Sequence, residues 1–138
     1  MKTLLMVTAA LEAGTGVALT IAPSLLVLVL LGSPLASPAG LVIGRVLGAA
    51  LIALGAACWI ARDDAQGRTA AGLVAAMLLY NIAVVSLLGY ARIGPRLSGV
   101  GLWPAVILHS ALAVWCVACL RITRQGGGGN ERIRRVLR

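Results

Sequence analysis

Four apolar runs divide the chain, at residues 3–31, 41–61, 69–91 and 99–120. The last three are each close to the roughly 20 residues that a helix needs to cross the hydrocarbon of a bilayer. That length leaves few alternatives. Inside lipid every backbone N–H and C=O must be satisfied within the structure, which restricts a spanning chain to helices or a closed barrel. Of 138 residues, 60% are hydrophobic and 12% charged, against about 25% charged in an ordinary soluble domain. The sequence therefore predicts an all-α fold, an integral membrane four-helix bundle.

The first run is too long for one straight span. Pro23 divides it, because proline has no N–H to give to a helix interior. A helix over 3–22 and a kinked continuation over 24–31 are expected. Lys2 and the apolar residues 4–11 resemble the start of a signal peptide. Glu12 interrupts that pattern and apolar sequence continues to Leu31, so the segment reads as a retained span. Residues 1–125 form one transmembrane domain on this reading. Residues 126–138, four glycines followed by a basic stretch, read as a flexible linker and tail.

The formal net charge is +8, from 12 Lys and Arg against 4 Asp and Glu. In a soluble chain such an excess suggests nucleic acid. Here the basic residues flank apolar runs, so the expected partners are membrane lipids and not nucleic acid. Lys and Arg favour the cytoplasmic side of a membrane. Lys2, Arg62, Arg68, Arg121, Arg124, Arg132, Arg134, Arg135 and Arg138 fall on one side of the spans, and Arg45, Arg92 and Arg96 on the other. This predicts both termini inside (N-in/C-in), in a multi-pass protein of a bacterial-type inner (cytoplasmic) membrane. Trp59 and Trp115 fall near the inner interface, and Tyr90 and Trp103 near the outer one.

Helices in lipid associate through small residues that let their backbones approach. Ala10, Gly14, Ala18 and Ala22 recur at intervals of four in the first run, and Gly44, Gly48 and Gly55 line the second. Both stripes are expected packing seams.

Each span also carries one strongly polar residue. Glu12 is about ten residues into the first helix, roughly 14 Å deep at 1.5 Å per residue. A carboxylate there must point inward, be protonated or be paired. Thr8 and Thr15 share its face. Arg45 enters the second helix from the outer side, and a depth gap of roughly 8–10 Å puts it within combined side-chain reach of Glu12. Asn81, with Tyr80 beside it, and His109, the single histidine, fall at the same depth in the third and fourth runs. Glu12, Arg45, Tyr80, Asn81 and His109 are therefore the expected ligand-binding residues. The competing reading is a polar core that only fixes packing.

Other motifs carry less. Cys116 and Cys119 form a C-x-x-C pair, but they sit inside a helix with no neighbouring cation to activate a thiol. With Cys58 they read as small packing residues, and no disulfide framework, metal site or cofactor is expected. Asp63 and Asp64 belong to a solvated turn beside Arg62 and Arg68. In the tail, Ile133, Val136 and Leu137 share one helical face, and Arg132, Arg134, Arg135 and Arg138 would meet anionic lipid headgroups.

Four short spans with one carboxylate in the first resemble the small multidrug resistance exporters. The stretch Ala10, Leu11, Glu12, Ala13, Gly14, Thr15 is similar in kind to that family's first helix, where a glutamate alternately holds a proton and a cationic drug. The resemblance stops at the first helix, since residues 69–91 lack that family's aromatic and glycine positions. The overall plan is also similar to the DoxX-like group of small four-helix membrane proteins, with no motif matched residue by residue.

The leading expectation is a midplane polar site for a small lipophilic or anionic ligand. The alternatives are a non-catalytic accessory subunit of a larger membrane complex and a proton-coupled exporter. A homodimer or another membrane protein is a possible partner, and no catalytic residue stands out. The charge bias makes one direct prediction. Reporter fusions after Gly67 and after Arg124 will read cytoplasmic, and one after Ser37 periplasmic; a periplasmic C-terminus would overturn the layout.

Overall fold

Proline and glycine set most of the helix ends. A computed structural model describes the backbone of residues 1–65 and 67–136 and the side chains of residues 1–65 and 67–122. Helix α1 (Lys2–Ile21) stops where Ala22 leaves the helical region, at φ −134° and ψ 63°. The residue before a proline is pushed out of that region by the ring. Pro23 then opens α2 (Pro23–Leu31), which closes on Gly32 in the left-handed conformation, φ 75°. Helix α3 (Pro38–Ala61) begins at Ser37, whose hydroxyl accepts from the Gly40 N–H at 3.0 Å. A 3-10 turn (Arg62–Asp64) leads to α4 (Arg68–Ile93), and α5 runs over Leu102–Val136.

All regular structure among the described residues is helical. Four helices are long and apolar enough to cross a membrane: Lys2–Ile21, Pro38–Asp64, Arg68–Ile93 and Leu102–Ile122. They pair as two antiparallel hairpins, α1 with α3 and α4 with α5.

Residues alternating by four and three line both sides of the α1–α3 seam. On α1 the buried row is Leu5, Ala9, Glu12, Gly16 and Leu19, and on α3 it is Gly44, Gly48, Leu51, Gly55 and Cys58. Such alternation keeps a row facing its partner as two helices wrap. At the centre the backbones touch. A methyl added to Gly16 would lie 2.6 Å from the Gly48 carbonyl oxygen, and one added to Gly48 would lie 2.6 Å from that of Gly16. Nearby, a methyl on Gly55 would lie 2.9 Å from the Ala9 oxygen, and one on Gly44 2.8 Å from Pro23 Cβ.

The expected stripe Ala10, Gly14, Ala18 and Ala22 is not this seam. Ala10 and Gly14 are exposed, and a methyl on Gly14 would meet nothing within 4 Å. Positions repeating strictly by four advance about 40° around a helix of 3.6 residues per turn at each step, so they drift off any single contact line.

An apolar core fills the half of the bundle near the N-terminus. Leu4, Leu5, Val74, Met77 and Leu112 pack there with Cys58, Cys116 and Cys119. At that end Asp63 sits 3.7 Å from Lys2 and 3.5 Å from Arg62. These pairs are solvent-facing and contribute little stability, but they show that Lys2 and the α3–α4 turn share one end. The opposite end is clasped between α2 and the α4–α5 loop. The Gly101 N–H donates to the Val29 carbonyl at 2.9 Å, while Gly32 and Gly99 lie too close to Ser98 and Val29 to admit a side chain.

Helix α5 passes through residues 126–129 without a break and reaches Val136, where the sequence suggests a flexible linker. The lipid-headgroup reading of Arg132, Arg134, Arg135 and Arg138 rests on side chains outside the described set.

The seam separates the glycines by their surroundings. Gly48→Val should lower thermal stability in detergent by about 1–3 kcal/mol, the usual range for overpacking. Gly14→Ala should leave stability unchanged or raise it by up to about 1 kcal/mol. The reverse order would mean that α1 meets α3 through its other face.

Candidate functional site

Three helices bring polar side chains together beyond the apolar core. Glu12 of α1 is 3% exposed, and Asn81 of α4 is fully buried. Tyr80 of α4 and His109 of α5 are half-buried. Burying an uncompensated polar group costs several kcal/mol in an apolar medium, so the partners of each matter.

Asn81 is held at both ends of its amide. Its Nδ2 donates to the Met77 carbonyl at 2.7 Å, within its own helix. Its Oδ1 lies 2.7 Å from His109 Nδ1, across to α5. The His109 ring stands edge-on to the Tyr80 ring, with centroids 5.8 Å apart. The Tyr80 hydroxyl in turn lies close enough to the Glu12 carboxyl group for the two to interact. The four side chains thus form a chain of contacts from α1 through α4 to α5, with Asn81 anchored to the backbone.

A small cavity of about 40 Å³ lies against this chain. Glu12, Thr15, Tyr80 and His109 line it, with Leu11, Leu108 and Leu112 completing the wall. Thr15 and Leu108 are exposed on the outer surface of the bundle, so the cavity lies behind a seam between α1 and α5. A water molecule occupies about 30 Å³ in the liquid. The space therefore admits one water or one small head group, far short of the roughly 300–1,000 Å³ of a pocket that encloses a whole small molecule.

Arg45 stands apart from the other four residues. It is exposed, and the ion pairs among the described residues are those of Asp63 with Lys2 and with Arg62. The axial offset is near what depth alone suggests. Gly16 faces Gly48, which leaves roughly 10 Å along the axis between Glu12 and Arg45. The direction is what differs. Gly44 and Gly48 face α1, and Arg45, one residue past Gly44, is turned about 100° away from that seam. The pairing of Glu12 with Arg45 does not form.

Sequence reasoning missed the Met77 carbonyl and the leucines of the cavity wall, Leu11, Leu108 and Leu112. Met77 enters through its carbonyl, which no side-chain pattern reveals, although it lies four residues before Asn81, where a polar side chain in a helix finds its nearest acceptor. Leu108 and Leu112 line the cavity as ordinary apolar helix residues, with nothing in the sequence to distinguish them. In comparisons with known proteins, no family model, no curated protein and no solved structure matched the chain.

Double-mutant cycles read by thermal unfolding test these contacts. Asn81→Leu and His109→Leu should be non-additive by about 0.5–3 kcal/mol, as contacting residues are. Glu12→Gln and Arg45→Met should add to within about 0.5 kcal/mol. Strong coupling of the second pair would restore the ion pair that the geometry rejects.

Proposed function

We propose that the chain is a multi-pass protein of a bacterial-type inner membrane whose mid-membrane site takes the polar head of a small lipophilic molecule arriving sideways from the lipid. The carrying observation is the cavity on Glu12, Tyr80 and His109 behind Thr15 and Leu108. Its volume suits a head group, and the apolar exterior suits a tail. That exterior includes Ile21, Ile60, Leu79, Ile107 and Val114, all outward-facing. In water so much exposed apolar surface would drive aggregation; in a bilayer it is the solvated face. Lys2, Arg62, Arg68 and Arg121 fall at one end of the bundle, which supports placing both termini in the cytoplasm. An anionic ligand is no longer favoured, because no Lys or Arg lines the cavity.

A second reading keeps the same membrane placement. An accessory subunit packing against a larger membrane protein is favoured by the uncovered Ala10 and Gly14 and by an apolar groove of about 310 Å³ beside them, floored by Ala13, Gly55 and Ala56 and closed by Trp59.

The two readings separate in lipid nanodiscs. We would measure thermal stability against a series of single-chain amphiphiles with different heads. A ligand that binds only the folded form stabilises it. About 1 kcal/mol corresponds to roughly 2–8 °C for a chain of this size. At least one amphiphile should give a saturable shift that disappears in Thr15→Tyr, which fills the mouth, and survives in Ala10→Val, which alters the groove. No saturable shift in the unmodified protein, or equal shifts in both variants, would remove the lateral site.

A further inference from the structure

Building on that site, we infer that it selects ligand heads that donate a hydrogen bond, an alcohol or an amine, over heads that only accept one. The inference follows from which atom of His109 remains for a ligand.

The Asn81 amide has two possible orientations, and its surroundings permit one. The atom 2.7 Å from the Met77 carbonyl must be the donor Nδ2, since a flipped amide would set two oxygens against each other. Oδ1 therefore faces His109 Nδ1. An amide oxygen only accepts, so Nδ1 must carry the hydrogen. In a neutral imidazole one nitrogen donates and the other accepts. The Asn81 contact thereby makes Nε2 the bare nitrogen. Among the described residues nothing hydrogen-bonds to Nε2, while the ring lines the cavity.

The other polar groups sharpen the choice. The Tyr80 hydroxyl is directed to Glu12 rather than to Nε2, with which it forms no hydrogen bond. Thr15 is exposed and makes no hydrogen bond to the ring, and the cavity wall carries no Lys, no Arg and no second His. A head with an O–H or N–H can satisfy Nε2 and still reach the Glu12 carboxyl. A ketone or ester of the same size covers Nε2 and gives it no hydrogen, which leaves a desolvated acceptor unpaired. Sites that hydrogen-bond a substrate group discriminate strongly against analogues lacking it.

The probes are 1-dodecanol, dodecylamine and 2-dodecanone, matched in chain length, titrated into the full-length protein in nanodiscs and read by thermal shift. The alcohol and the amine should bind at least about tenfold more tightly than the ketone. Because the chain has one histidine, ¹⁵N-histidine labelling gives a single pair of ring nitrogens. The NMR spectrum of the unliganded protein should show hydrogen on Nδ1 and a bare Nε2, and dodecanol should move the Nε2 resonance more than that of Nδ1. In Asn81→Leu the lock is gone, and the preference for the alcohol over the ketone should shrink to less than about threefold. A hydrogen on Nε2 in the unliganded protein overturns the inference without any variant. Equal affinity for all three probes overturns it while leaving the lateral site in place. No binding by any probe removes the site itself, and the inference with it.

Discussion

The contact of Gly16 with Gly48 is the constraint on which the rest of the bundle depends. Lipid tails are as apolar as leucine, so two helices gain nothing in a membrane from hiding leucines against each other. They gain from close approach. With no side chain at either position, the two backbones come near enough that any methyl would strike a carbonyl. That approach sets the register of α1 against α3, and the register sets everything measured from it. It places Glu12 on the buried row, brings Cys58 into the core below it and turns Arg45 outward.

The α4–α5 pair is held by different means. Its interface carries an Asn and a His rather than facing glycines, and their hydrogen bond crosses between helices at 2.7 Å. Asn81 spends its donor on its own helix and its acceptor on the next. A residue tied to its own backbone loses little further freedom when it meets a partner, which makes it an effective fixed point. His109 inherits its orientation from that point, and Tyr80 packs against the ring that results. The hairpin of glycines and the hairpin of polar groups meet where Glu12 of α1 approaches Tyr80 of α4.

Counting residues along the chain recovers depth, because a helix rises a constant 1.5 Å per residue. Depth is why Glu12, Asn81 and His109 could be grouped from sequence, and why the four long apolar helices could be located. Direction around a helix is a separate quantity, and sequence carries it only where a pattern repeats. Gly44, Gly48 and Gly55 are spaced by four and by seven, which returns to nearly one face, and the α3 face was readable. Ala10, Gly14 and Ala18 repeat by fours alone, and that stripe pointed away from the partner. Arg45 has no repeat to fix its direction, so a correct depth gave an incorrect neighbour. The cavity was not legible at all, since a void of about 40 Å³ depends on how Leu108 and Leu112 pack. Nor was the helix through residues 126–129, where composition argues for a break.

The bond between Gly101 and Val29 also carries a statement about time. A ribosome makes a chain from its N-terminus, and domains take shape as their segments appear. The α1–α3 hairpin has every residue it needs once Ala61 is made. The clasp at the far end waits for residues 99 to 101, some seventy positions after the helix it closes on. Until then the Val29 carbonyl and the glycine turn at 32 lack the loop that covers them. In order of synthesis the α1–α3 hairpin can therefore form first, the Val29–Gly101 clasp only after α4 is made, and the contact of Asn81 with His109 only after both.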